Sequence, residues 1–147
     1  MLRLLAATGT AALLATGVAV ATPAAAESLP FTECGTDTPA HLTSVDVTPH
    51  PLQPGRPASV TLRGSLSQRV TGGTYDLSVR YLGAQLMHNS GELADVVHLP
   101  LPAGKFAIHK RVPVPAQAPS GKYNLTLTAA DQHGDQLLCV KVPFRVE

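Results

Sequence analysis

Tryptophan is absent from this chain of 147 residues, and tyrosine and phenylalanine contribute only three residues each. Large aromatic rings therefore cannot fill its centre, and the interior must be mostly aliphatic. Charge is also scarce, at 14% of residues with a formal net charge of +1. Lys110-Arg111 is the sole adjacent basic pair, so the basic stripe of a nucleic-acid binder is missing. The two cysteines have no Cys-x-x-Cys spacing, and the six histidines show neither His-x-His nor His-x-x-x-His spacing. These spacings support neither a catalytic thiol nor a histidine-built metal centre. Ser65, Ser67 and Ser78 lie in alternating segments without a nucleophile elbow. No segment repeats apolar residues at i, i+3, i+4 and i+7 for long enough to make a helix. Neither an enzyme nor a resident cofactor is expected.

What is present begins with an export address. Arg3 precedes an apolar and small-residue run from Leu4 to Ala21, and Ala24-Ala25-Ala26 offers a small-x-small cleavage site. Residues 1–26 are expected to be a signal peptide and residues 27–147 a single secreted, extracellular domain. Removing the leader takes Arg3 from the 11 basic residues, leaving ten against ten acidic ones. Cys34 and Cys139 are then an even pair in an oxidising compartment, and a disulfide is the simplest reading. It would close about 105 residues, a closure worth about 4.7 kcal/mol in the chain-entropy model. Free buried thiols and an intermolecular bridge remain the alternatives.

Alternation of period two dominates the rest. Val60, Leu62 and Leu66 share one phase, as do Tyr75, Leu77, Val79 and Tyr81. Phe106, Ile108, Val112 and Val114 form a third stripe, backed by Lys105, His109 and Arg111. Tyr123 to Ala129 and Val140 to Val146 alternate in the same way, while Leu42 to Thr48 and Leu82 to His88 are weaker candidates. Most of the 13 prolines, with Gly72-Gly73, Gly83 and the Asp131–Asp135 run, fall between these stretches and read as turns. The economical architecture is an all-β, immunoglobulin-like sandwich of two antiparallel sheets and about seven strands. Lys110 interrupts the apolar phase of its strand. A bulge or simple edge exposure is expected there in preference to a cavity mouth where an ammonium meets water or an anion. Asn124-Leu125-Thr126 fits a glycosylation triplet.

The order of motifs resembles the ML (lipid-recognition) domain family, particularly its phosphatidylglycerol/phosphatidylinositol-transfer branch. The resemblance is carried by Pro30-Phe31-Thr32-Glu33-Cys34-Gly35, Leu42 to Pro49, Pro54-Gly55, Gly64-Ser65-Leu66, Val70 to Thr74, Pro119 to Tyr123, and Asp131 to Cys139. It implies a bridge between Cys34 and Cys139, and two sheets that splay to hold a lipid. It also implies a second cysteine pair that is missing here, since Leu99 precedes Pro100 and Ala94 stands near the partner position. The stretch from Gly91 to Gly104 should then be the most mobile part of the domain.

The expected function is that of a secreted lipid-binding or lipid-transfer protein holding a phospholipid, fatty acid or sterol. It would act as a monomer with transient membrane-surface contact. Phase and central position nominate Leu62, Leu77, Val79, Phe106, Ile108, Leu125 and Leu127 as cavity lining. The alternatives are an adhesion sandwich recognising protein through its loops, and a copper carrier suggested only by Met87-His88.

Overall fold

A computed structural model describes residues 17–20 and 26–147. The expected leader therefore lies largely outside the described residues. From Glu27 onward the chain forms nine strands: β1 (Glu27–Ser28), β2 (Thr32–Glu33), β3 (Ala40–Thr48), β4 (Ala58–Leu66), β5 (Thr74–Tyr81), β6 (Ala84–Glu92), β7 (Gly104–Val112), β8 (Gly121–Ala130) and β9 (Gln136–Val146). The only helical turn among the described residues is a 3-10 turn at Leu93–Asp95. One sheet has the order β1-β3-β4-β7 and the other β2-β9-β8-β5-β6, every pairing antiparallel. Seven long strands match the expected sandwich, and the two short N-terminal strands extend one side of it.

Alternation builds these sheets because each inner phase is apolar and must leave water. Three bulges adjust it. In β3 a register shift between Leu42 and Ser44 turns the strand by one residue. Leu42, Val45 and Val47 are consequently all buried despite their odd spacing. In β9 the shift opposite Ala129 and Ala130 lets the adjacent Leu137 and Leu138 both point inward. A third lies between Val79 and Arg80, where β5 meets β6.

No bulge occurs at Lys110, but the alternative of simple edge exposure holds, since β7 is an edge strand and Lys110 is exposed. The β4–β7 register runs unbroken from Ala58↔Val112 to Leu66↔Gly104, so Lys110 keeps the phase of Phe106 and Ile108. Two boundaries also move. Leu82 belongs to a turn rather than a strand, and Val114 lies beyond the end of β7.

The interior divides into two clusters. The larger contains Leu42, Val45, Leu66, Val70, Leu93, Leu137, Leu138 and Val140. The smaller closes one end of the sandwich with Val79, Tyr123 and Val146. There the Tyr81 and Tyr123 rings stand 4.7 Å apart and Tyr123 stacks on Phe144 at 5.3 Å. A sequence with six Phe and Tyr residues in all thus concentrates three of them in one plug, while Phe31, Tyr75 and Phe106 pack singly against the larger, mainly aliphatic cluster.

Candidate functional site

Between the sheets lies a cavity of about 210 Å³ whose wall exposes only apolar atoms. β4 contributes Leu62 and Leu66, β7 contributes Phe106, Ile108 and Lys110, β5 contributes Tyr75 and Leu77, and β8 contributes Leu127 and Ala129. Leu93, Val96, Val97 and Leu101, from the connection between β6 and β7, cover its far end. That connection is held without a disulfide. Leu93 is buried and donates its amide to the Gly73 carbonyl at 2.9 Å. Val70 and Leu101 exchange backbone hydrogen bonds of 2.9 and 2.8 Å.

Gly64 shapes the centre of the wall. A Cβ there would come within 2.8 Å of Phe106 Cζ and would also press on the His41 carbonyl. The glycine interrupts the Leu62–Leu66 phase because the Phe106 ring lies across its strand.

One lining residue, Lys110, is cationic. This residue is exposed, yet its stem joins the wall next to Ile108. No side chain of the neighbouring edge strand β6 lines the cavity. Lys110 therefore brings one ammonium to the edge of an otherwise apolar lining. On the opposite side, Cys34 and Cys139 form a disulfide with their Cα atoms 4.9 Å apart.

Of the seven nominated lining residues, Leu62, Leu77, Phe106, Ile108 and Leu127 are brought together on the wall. Val79 lies in the aromatic plug, and Leu125 packs between the two clusters without reaching the cavity. Sequence reasoning missed the group from Leu93 to Leu101, because only apolar density marks it and alternation does not. It also missed Leu137-Leu138, which a bulge turns inward.

A second, open depression of about 550 Å³ lies on the outer face of β5, β6 and β8, with Asp76, Ser90, Glu92 and Thr128 on its wall. Nearby, His88 Nε2 lies 2.6 Å from an Asp76 carboxylate oxygen. Met87 and His88 occupy opposite faces of β6. Among the described residues no three His, Cys, Asp or Glu side chains group closely enough to hold a metal.

The model of the ML domain matches residues 28–146. The chain belongs to the ML domain family. It is 28% identical over 132 residues to a phosphatidylglycerol/phosphatidylinositol transfer protein of Mycosarcoma maydis, covering 84% of this chain and 68% of that protein. It is 31% identical over 103 residues to the protein of the same name from Aspergillus fumigatus, covering 66% of this chain and 59% of that relative. Among solved structures, a Niemann-Pick type C2 protein from the Japanese carpenter ant superposes with a TM-score of 0.64 at 12% identity. That likeness covers 80% of this chain and 99% of the other, and it shows that the fold is shared.

Proposed function

We propose that this ML domain is a secreted, non-enzymatic lipid carrier that takes an acyl chain of an anionic phospholipid between its sheets. The observation that carries the reading is a cavity whose wall exposes only apolar atoms and whose lining includes one cationic residue, the exposed Lys110. Burying a hydrocarbon chain there gains about 0.8 kcal/mol per CH₂. The Lys110 ammonium can meet a lipid phosphate at the rim while its methylenes stay on the wall. The names of the fungal relatives agree with a glycerophospholipid ligand.

At about 210 Å³ the cavity is smaller than the roughly 300–1,000 Å³ of ordinary ligand pockets. Uptake therefore requires the β6 and β7 edges to part, widening the space as the chain enters. Leu62, Leu77, Phe106, Ile108 and Leu127 would line the chain, and no residue performs covalent chemistry. The leader at residues 1–26 would be removed on export, and the domain at residues 27–147 would act as a monomer that visits a membrane to load and unload.

Ile108→Trp tests this by filling the cavity without adding charge, at an overpacking cost of about 1–3 kcal/mol. Native mass spectrometry of the secreted parent should show co-purified phospholipid. The folded variant should carry none and should fail to bind fluorescent phosphatidylglycerol. A folded Ile108→Trp variant that binds lipid as the parent does would refute the cavity as the site.

A further inference from the structure

Each of the two sheets ends in two edge strands, and all of these edges but one are guarded. β1 and β2 are two residues long, too short to template another chain. β7 carries Lys105, Lys110 and Arg111, cations of the kind that discourage edge-to-edge pairing. β6 has neither defence. It runs for nine residues, from Ala84 to Glu92, without lysine, arginine or proline. All of its residues but Gly91 are exposed, and among the described residues nothing pairs with its outer side. The bulge between Val79 and Arg80 disturbs only the hairpin end, and from Met87 to Glu92 the pairing with β5 is unbroken. A regular, nearly uncharged edge of this kind is a template for another strand.

The charges beside the edge select that strand. At the hairpin end the sheet carries Arg80 and Lys122, whereas at the other end β6 finishes in Glu92 and leads to Asp95. A second copy running antiparallel brings its acidic end beside the basic end of the first, and the reverse contact repeats this. A two-fold axis through the sheet keeps the two faces matched, so such a pairing centres on a residue of the strand. Centred on Asn89, it sets His88 against Ser90, Met87 against the bare Gly91, and Leu86 against Glu92. Leu86 lies between the levels of Val79 and Arg80. Glu92 of one copy and Arg80 of the other then share the outer face. Two strand spacings, or about 10 Å, separate their backbones, a gap that the two side chains span together.

We propose that two copies of this domain pair through β6, edge to edge and antiparallel, joining their larger sheets into one. The contact is small beside the roughly 1,200–2,000 Å² of a stable interface, so the pair forms and parts reversibly. One consequence rests on the carrier reading, which requires the β6 and β7 edges to part. A pair that holds β6 is then the resting form, and the single domain is the form that loads lipid.

Sedimentation velocity of the full secreted protein over a wide range of concentration, with no lipid present, tests the pairing. The parent should pass from monomer to dimer as its concentration rises. Glu92→Arg and Arg80→Glu each set like charges against one another at both ends of the pair. Each should raise the dissociation constant about tenfold. Melting should change little, because both side chains are exposed. Combining the two restores opposite charges and should recover the parent's constant, which a merely structural loss would not. A parent that stays single at every concentration, or that binds another protein's strand instead, overturns the proposal. So does a dimer that the single variants leave intact or that the double variant fails to restore. Uptake of fluorescent phosphatidylglycerol by dilute protein separates the two ideas. A chain that pairs but takes up no lipid refutes the carrier and leaves the pair standing, and a chain that takes up lipid but never pairs does the reverse.

Discussion

The two long sides of this sandwich are built on opposite principles. On one side the sheets are tied together. The Cys34–Cys139 disulfide anchors the N-terminal segment to β9. The Glu33 carboxylate on β2 crosses to the other sheet, accepting the Leu42 amide at 2.9 Å and facing His41 Nδ1 at 3.2 Å. Ser28 and Arg63 converge on Asp46, and Leu29 is buried beneath them. On the other side, β6 and β7 are edge strands whose residues are mostly exposed, and Lys110 of β7 lines the cavity. In the proposed reading, the side of β6 and β7 parts for a lipid chain while the fold is held from the other.

The largest test cuts the tie. Cys34→Ala with Cys139→Ala should destabilise the domain by about 2–5 kcal/mol, approaching the loop-closure figure of about 4.7 for a long loop. Urea unfolding of the secreted protein measures this as a lower midpoint with little change in slope. A loss under about 1 kcal/mol would mean that the crossing made by Glu33 and Leu29 already suffices, and the contrast between the two sides would weaken.

A smaller effect separates the plug from the cavity wall. Val79 packs with Tyr123 and Val146 in a filled cluster, whereas Leu77, two residues earlier on the same strand face, borders open space. Val79→Ala removes two packed methyl groups and should cost about 2 kcal/mol with lipid binding intact. Leu77→Ala deletes more atoms, but fewer of them are enclosed, so its cost should fall at the low end of the about 2–5 kcal/mol range for such truncations. It should also alter lipid affinity. Thermal melts paired with a fluorescent-lipid titration distinguish the two positions. If both variants change binding equally, the plug and the cavity are not separate.

Exchange kinetics sharpen the contrast without mutation. The 93–103 connection covers the cavity with Leu93, Val96, Val97 and Leu101, and its cross-loop backbone bonds run to Val70 and Gly73. β5 and β8 are each flanked by partners on both sides. Regions with few ladder bonds open at low free-energy cost. Hydrogen–deuterium exchange should therefore proceed in 93–103 before Tyr75–Tyr81 and Tyr123–Ala129, and bound lipid should slow it. Equal rates would place the moving part elsewhere.

The strands were legible because their stripes are two residues apart and their turns carry Pro and Gly. Leu62, Leu77, Phe106, Ile108 and Leu127 could be nominated from phase alone. What phase cannot supply is depth along the strand. Val79 and Leu125 share the inner face with Leu77 and Leu127, but two or more residues nearer the end they meet the aromatic plug instead. Bulges hide in the same way. Nothing in Leu137-Leu138 announces that both point inward, since the shift is set by how β9 pairs with β8. Lys110 shows the converse: a bulge or simple edge exposure was expected there, and the residue is exposed on an edge strand, without a bulge, yet also keeps the phase of the cavity wall.

The smallest effect concerns acid. The Glu33 carboxyl is held below its ordinary range, chiefly by the Leu42 amide and further by His41. The Asp131 carboxyl is lowered as well, chiefly by the His133 amide and further by the Asp135 amide and Gln68. A depressed folded-state value stabilises the fold above the unfolded value, about 4.3 for Glu and 3.9 for Asp. That contribution is lost as pH falls through the lower folded values. Stability should therefore be flat near neutrality and decline below about pH 4 from these groups. Asp131 holds the β8–β9 turn within one sheet, whereas Glu33 ties one sheet to the other. Glu33→Gln keeps an acceptor for the Leu42 amide and removes the titration, so its acid decline should be shallower than the parent's. Urea midpoints measured across this range decide the matter. Identical declines in parent and Glu33→Gln would show that the carboxylate's charge does not help to hold the tied side.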